Sequence, residues 1–181
     1  ILDKLVEEIK PEVILHCAAM ANVDDCEKRP EDALRVNAIL PGEIAEVAKK
    51  NNIKLVHIST DAVFDGQKGN YTETEQPNPL SVYAATKREG ELAVLSANPQ
   101  ALVTRVNFYG WSISGIRSLA EFFVNNLSEG KDVKGFTDIL FCPMMVLDLA
   151  SILVETVEKD LSGLYHCVGP ENMSKYDFGL A

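Results

Sequence analysis

The sequence predicts an α/β fold built on a parallel sheet, and three observations carry the prediction. Residues 13–17, 54–60 and 102–106 are short apolar runs, continuous rather than alternating, as strands covered on both faces of a parallel sheet require. Amphipathic stretches of helical length separate these runs, which is the crossover that parallel neighbours need. The carboxyl ends of the runs carry small or polar residues, Ala18-Ala19, Ser59-Thr60 and Asn107, at the edge where open α/β sheets bind ligands.

Each element has its own local reason. Leu2, Leu5, Val6 and Ile9 form a helical stripe that Pro11 ends. After the first strand, residues 20–29 are polar and read as a loop. Pro30 opens a helix with Glu31 and Asp32 in its first turn, where the macrodipole favours acids. Its stripe runs through Leu34, Ile39, Ile44 and Val47 to Lys49-Lys50, and Pro41 is expected to kink or break it. Asn37 within it reads as a solvated or packed polar residue. Residues 61–80 lack any period, and a connection of that length is usually functional.

Pro79 and Ser81 precede a helix carried by Glu91, Leu92 and Leu95. The third strand ends in Asn107-Phe-Tyr-Gly-Trp111, aromatics suited either to the core or to stacking on a flat ring. Further on, helices are expected over 116–127, with Gly130 as its cap, and over 148–158. Short strands are expected at 133–136 and 164–168, and Ser174 with Asp177 opens a last helix.

Composition sets the bounds. The 181 residues suffice for one domain with a sizeable core, and 46% hydrophobic and 24% charged residues are those of a globular protein. A net charge of −10 disfavours nucleic acid and anionic membrane surfaces as partners. No apolar run approaches the ~20 residues of a membrane-spanning helix. Cys17, Cys26, Cys142 and Cys167 are scattered without metal-binding spacing, and read as buried thiols of a cytoplasmic protein with no metal site.

The chemistry centres on Tyr83 and Lys87. Four apart on a helix, they share a face. An ammonium beside a phenol favours the phenolate, so Lys87 is expected to lower the pKa of Tyr83 and fit it for proton transfer near neutral pH. The Thr60 hydroxyl, at the end of its strand, could hold a substrate oxygen next to Tyr83. By itself the spacing also fits an amphipathic helix with an exposed lysine.

The context is more specific. The stretches LHCAAMANVDDCE, RVNA, HISTDAVFDG, NPLSVYAATKREGE, RVNFYGW, PMMVLDLA and GLYHCVGPENMSKYDF resemble, in order and over nearly the whole chain, the extended short-chain dehydrogenase/reductases. Within these they are most similar to the dTDP-4-dehydrorhamnose reductase family. The resemblance implies a Rossmann-type doubly wound parallel sheet with helices on both faces, plus part of a smaller C-terminal substrate-binding region. Residues 1–110 would form the NAD(P)-binding domain without its glycine-rich part, and 111–181 part of a substrate-binding region interleaved with it. The implied activity is NAD(P)H-dependent reduction of a nucleotide-linked 4-keto-6-deoxysugar, in dTDP-rhamnose biosynthesis.

Thr60, Tyr83 and Lys87 match the family's catalytic residues. Ala18, Ala19, Ser59, Tyr83, Lys87 and Asn107 match cofactor-binding positions, for NADP or NAD. Val23, Thr60 and Phe108 match positions near the sugar. A homodimer is compatible with the family. No glycine-rich strand-to-helix turn occurs in the 181 residues, so the chain is expected to be a piece of a longer protein and to hold a dinucleotide weakly by itself. A dehydratase of this kind places an acid pair after the threonine, where this chain has Asp61-Ala62. Two alternatives remain: a nucleotide-sugar epimerase, and a non-catalytic regulatory subunit like that of methionine adenosyltransferase.

Overall fold

A computed structural model describes residues 1–181. The chain forms two compact units, one of residues 1–106 and 155–166, the other of 107–154 and 167–181.

The first unit contains α1 (Leu2–Ile9), β1 (Val13–His16), α2 (Val23–Lys28), α3 (Pro30–Leu34), a π turn (Arg35–Ile39), α4 (Leu40–Lys50), β2 (Lys54–Thr60), α5 (Val82–Ala97) and β3 (Leu102–Val106). Its sheet takes the order β1-β2-β3, with the later strand Gly163–Cys167 beyond β3. The first two pairings are parallel, with His16 opposite His57, His57 opposite Val103, and Ser59 opposite Arg105.

Because side chains alternate along a strand, Ile14, His16, Leu55, His57, Ser59, Val103 and Arg105 share one face. That face is apolar low in the sheet and polar toward its carboxyl edge. Helix α5 descends against it with the matching gradient, Tyr83, Lys87, Glu91 and Val94 at successive turns. The apolar end is the core: Ile44, Ala45 and Ala48 of α4 pack with Leu55, Val94, Ala101 and Val103.

Several expectations are corrected. Within residues 1–181, strand β1 is the outermost strand of the sheet, and Val13 and Leu15 are exposed rather than buried. Residues 23–28 form helix α2 rather than loop: the Asn22 side chain accepts the Asp25 N–H at 2.9 Å, with Asp24 and Asp25 in the first turn. Pro41 does not break the long helix. It has no N–H for the carbonyl four residues back, and the chain adopts a π turn just before it, the Leu40 N–H reaching the Arg35 carbonyl. Cys17 is exposed and Cys142 half-buried, so only Cys26 and Cys167 are buried thiols.

The second unit contains β4 (Phe108–Tyr109), α6 (Leu119–Ser128), β5 (Leu140–Phe141), β6 (Met144–Met145), most of α7 (Val146–Glu158), the end of β7 (Gly163–Cys167), β8 (Met173–Ser174) and α8 (Lys175–Leu180). Strand β4 pairs parallel with β6, and β5 antiparallel with β8. Helix α6 starts later than expected, at a capping box of Ser118 and Glu121. Gly130 follows its end at φ 71°, its N–H on the Leu127 carbonyl. Ser174 caps α8 by accepting the Asp177 N–H. The strand expected at 133–136 is absent. No helix is long and apolar enough to cross a membrane.

Candidate active site

The site grows from the contact of α5 with the carboxyl end of β2. Ser81 starts α5 by accepting the Ala84 N–H at 3.2 Å. Tyr83 therefore falls in the first turn and Lys87 one turn below. Thr60 closes β2, accepts the Ala62 N–H at 3.1 Å and caps a short 3₁₀ turn, Asp61–Val63. Its side chain is buried and lies close enough to the Tyr83 phenol to act on its acidity. Threonine and tyrosine thus meet, as their placement in the sequence predicts.

The electrostatics differ from expectation. Burial pushes the Tyr83 phenol above its ordinary value, the Thr60 hydroxyl opposes this, and nearby Asp61 and Cys26 add to the rise. Lys87 is not what tunes it. The Lys87 ammonium, 3% exposed, donates to the Ile58 carbonyl at 2.6 Å, and burial pushes it down to about 8 while Glu91 and Cys17 pull it up. Tyr83 is therefore a fully protonated phenol at neutral pH, suited to giving a proton rather than taking one. The ammonium has three donors, of which Ile58 engages one.

The other expected positions are scattered in character. Ala18 and Ala19 follow β1 as exposed backbone. Ser59 is buried and donates its hydroxyl to Glu91 at 2.6 Å, so only its main chain is available to a ligand. Val23, at the start of α2, is 45% exposed. Glu27 on the same helix accepts the Val82 N–H at 2.8 Å, tying α2 to the head of α5.

Asn107 and Phe108 begin the second unit. The Asn107 carbonyl accepts the Met144 N–H at 3.0 Å, and Phe108 lines a cavity of about 370 Å³ with Tyr109, Trp111, Arg117 and Val146. The buried Glu121 carboxylate shapes the cavity loop by accepting the N–H groups of Ser112, Arg117 and Ser118 at 2.5–2.8 Å. Its aromatic faces suit a flat ring.

Three features escaped the sequence. Asn37 is fully buried, bonding the Met20 N–H and carbonyl and the Thr86 hydroxyl, and so clamps the strand-end loop to α5. The neighbouring Pro41 and the RVNA motif were its only signal. Glu91 stands four residues after Lys87, a spacing that continues the 83–87 face. Finally, His16 and His57 stack with Nδ1 atoms 2.9 Å apart, and neither Nε2 has a partner.

The histidine pair has a measurable consequence. Burial, reinforced by Lys87 and His16, pushes His57 down to about 2. The unfolded chain therefore takes up a proton below about pH 6.5 that the folded chain refuses, and stability falls as pH drops through that value. For His57 alone the loss at pH 5.5 is about 1.4 kcal/mol relative to neutral pH. Urea denaturation at the two pH values should show it, and a His57→Gln chain should lose measurably less. Equal losses in both chains would mean that His57 is not kept neutral.

The parallel sheet with its helical crossovers defines a Rossmann-type α/β architecture. The chain belongs to the RmlD substrate binding domain family, whose model matches residues 1–181. It is 34% identical over 180 residues to the probable low-salt glycan biosynthesis reductase Agl14 of Haloferax volcanii, covering 97% of this chain and 60% of that protein. It is 35% identical over 188 residues to methionine adenosyltransferase 2 subunit beta of Xenopus tropicalis, covering 98% and 55%. Among solved structures, dTDP-4-dehydrorhamnose reductase of Bacillus anthracis in complex with NADP superposes with a TM-score of 0.92 at 29% identity, covering 99% and 64%. The chain thus spans less than two thirds of each of these proteins.

Proposed function

We propose that the protein is an NAD(P)H-dependent reductase of a nucleotide-linked 4-keto-6-deoxysugar. The observation that carries this reading is the juxtaposition of Thr60 and Tyr83 at the carboxyl end of β2, with Lys87 buried one helical turn below. The similarity to a reductase bound to NADP supports the cofactor. The residues present fit the nicotinamide–ribose end of such a group, because Lys87 carries donors beyond the one used by Ile58 and Ala18-Ala19 offer small, exposed backbone. Ser59, Tyr83 and Asn107 complete the proposed cofactor contacts, and Val23 and Phe108 the sugar contacts.

When bound, the dinucleotide supplies a hydride to the keto carbon. Tyr83 gives its proton to the keto oxygen as negative charge develops there. Thr60 directs a hydrogen bond at the same oxygen, which stabilises charge where it forms. Lys87, whose ammonium keeps donors beyond the one used by Ile58, would hold the nicotinamide ribose. We place the protein in the cytoplasm, on four cysteines that are thiols rather than disulfides.

A second reading is a regulatory subunit that binds a partner enzyme, and the methionine adenosyltransferase relative favours it. One experiment separates them. The full-length protein, mixed with NADPH and a dTDP-4-keto-6-deoxysugar, should lose nicotinamide absorbance in proportion to enzyme. A well-folded preparation that leaves NADPH untouched would favour the subunit.

A further inference from the structure

Helix α5 is fastened to the sheet below the reacting groups by one buried carboxylate. Glu91 is fully buried and receives four donors. Ser59 gives its hydroxyl to Oε1 at 2.6 Å. Arg105 binds in a fork, Nε to Oε1 and Nη2 to Oε2, both at 2.8 Å, and Arg88 reaches Oε2 at 2.7 Å. Arg105 in turn lies 4.9 Å over the Phe64 ring and 3.3 Å from His166 Nε2. Phe64 stacks on Tyr71, and Glu73 accepts the His166 N–H at 2.9 Å. Strand β2, strand β3 and helix α5 therefore converge on Glu91, and Arg105 links that carboxylate to the 61–80 connection.

We infer that Glu91 is the positioning residue of this site: through Ser59 it fixes the strand end that presents Thr60, and from the next turn of α5 it sets the charge beside Lys87. The inference rests on the assignment of Thr60, Tyr83 and Lys87 as the reacting groups. Its geometric ground is the periodicity 83, 87, 91, which stacks proton donor, cation and carboxylate on one helical face. Each meets β2 in turn, Tyr83 at Thr60, Lys87 at Ile58 and Glu91 at Ser59.

Charge agrees with geometry. Burial alone would raise the Glu91 carboxyl, but Arg105, Ser59 and Arg88 more than offset it and keep it ionised. That negative charge opposes the loss of the Lys87 proton. The other groups facing Lys87 are Cys17 and His16 from the β1 side and His57 from β2, with Tyr83 one turn above. Neither histidine carries charge at neutral pH and burial pushes the Cys17 thiol up, so that it too is neutral there, which leaves Glu91 as the anion acting on Lys87.

The test uses the full-length protein labelled at lysine ¹³Cε, with Lys87 assigned by the signal lost in Lys87→Met. In the wild type its resonance should titrate near pH 8. Glu91→Gln should move that midpoint down by on the order of one unit, the effect of removing a close opposite charge. Glu91→Asp, which keeps the charge, should restore most of it. Ser59→Ala should leave the midpoint in place and lower kcat with KM little changed, since it removes only the strut to the strand end.

A buried arginine left unpaired can unfold the single variant. Glu91→Gln with Arg105→Met then restores a neutral core. The same downward shift is expected in it, because Arg105 is not among the groups acting on Lys87. A folded variant of either kind with the wild-type midpoint overturns the inference. The titration requires no turnover, so a normal shift in a protein that reduces nothing would refute the proposed reaction and leave the role of Glu91 standing.

Discussion

Tyr83→Phe in the full-length protein lowers kcat by about 10²-fold or more, the scale of lost general acid catalysis, and leaves dinucleotide affinity nearly unchanged. The substitution keeps the half-buried ring and removes only the hydroxyl that interacts with Thr60. The Tyr83 phenol is held above its ordinary value by burial, so the group lost is an acid that is fully loaded at neutral pH. The pH profile should reflect this. In the wild type the alkaline fall in kcat/KM should follow titration of Lys87, pushed down to about 8, before that of the phenol. Single-turnover reduction followed at the nicotinamide band measures both, and wild-type turnover in the variant would end the role assigned to Tyr83.

Gly90→Ala destabilises the chain by about 2–3 kcal/mol, the range of a forced overpacking. On an exposed helix the same change gains roughly 1 kcal/mol, so the sign itself is informative. A Cβ built on Gly90 would stand 2.1 Å from the Asn37 carbonyl oxygen, an obstacle made of backbone rather than a yielding side chain. That carbonyl lies there because Pro41, four residues on, offers it no N–H, and the helix passes through a π turn. Relieving the clash must push α5 away from its neighbour and carry Lys87 and Glu91 with it. Urea denaturation of the 181-residue chain gives the stability, and an unchanged or higher midpoint would show that the π turn yields freely.

Both predictions depend on distances that the sequence does not contain. The parallel strands were legible because continuous apolar runs separated by helical stripes have few other solutions. The head of α5 was legible because Pro79 and Ser81 suit a helix start and Glu91, Leu92 and Leu95 carry a helical pattern onward. The direction of the Tyr83 shift was misread: spacing shows that a lysine is close along the helix, but not that its ammonium turns to the Ile58 carbonyl. The loop assigned to 20–29 hid a cap at Asn22, since short polar helices have no apolar stripe to announce them.

What the sequence determined by itself was the three parallel strands with helices between them, the family resemblance, and the nomination of Thr60, Tyr83 and Lys87 as candidates. These follow from local periodicity and from residue chemistry, which are properties of neighbours in the chain. What only the tertiary structure decided was the protonation state of the phenol and the ammonium, the convergence of Ser59, Arg88 and Arg105 on Glu91, and the intolerance of position 90. Each of these depends on burial and on partners dozens of residues away, and electrostatic and steric energies are set by distance in space rather than along the chain.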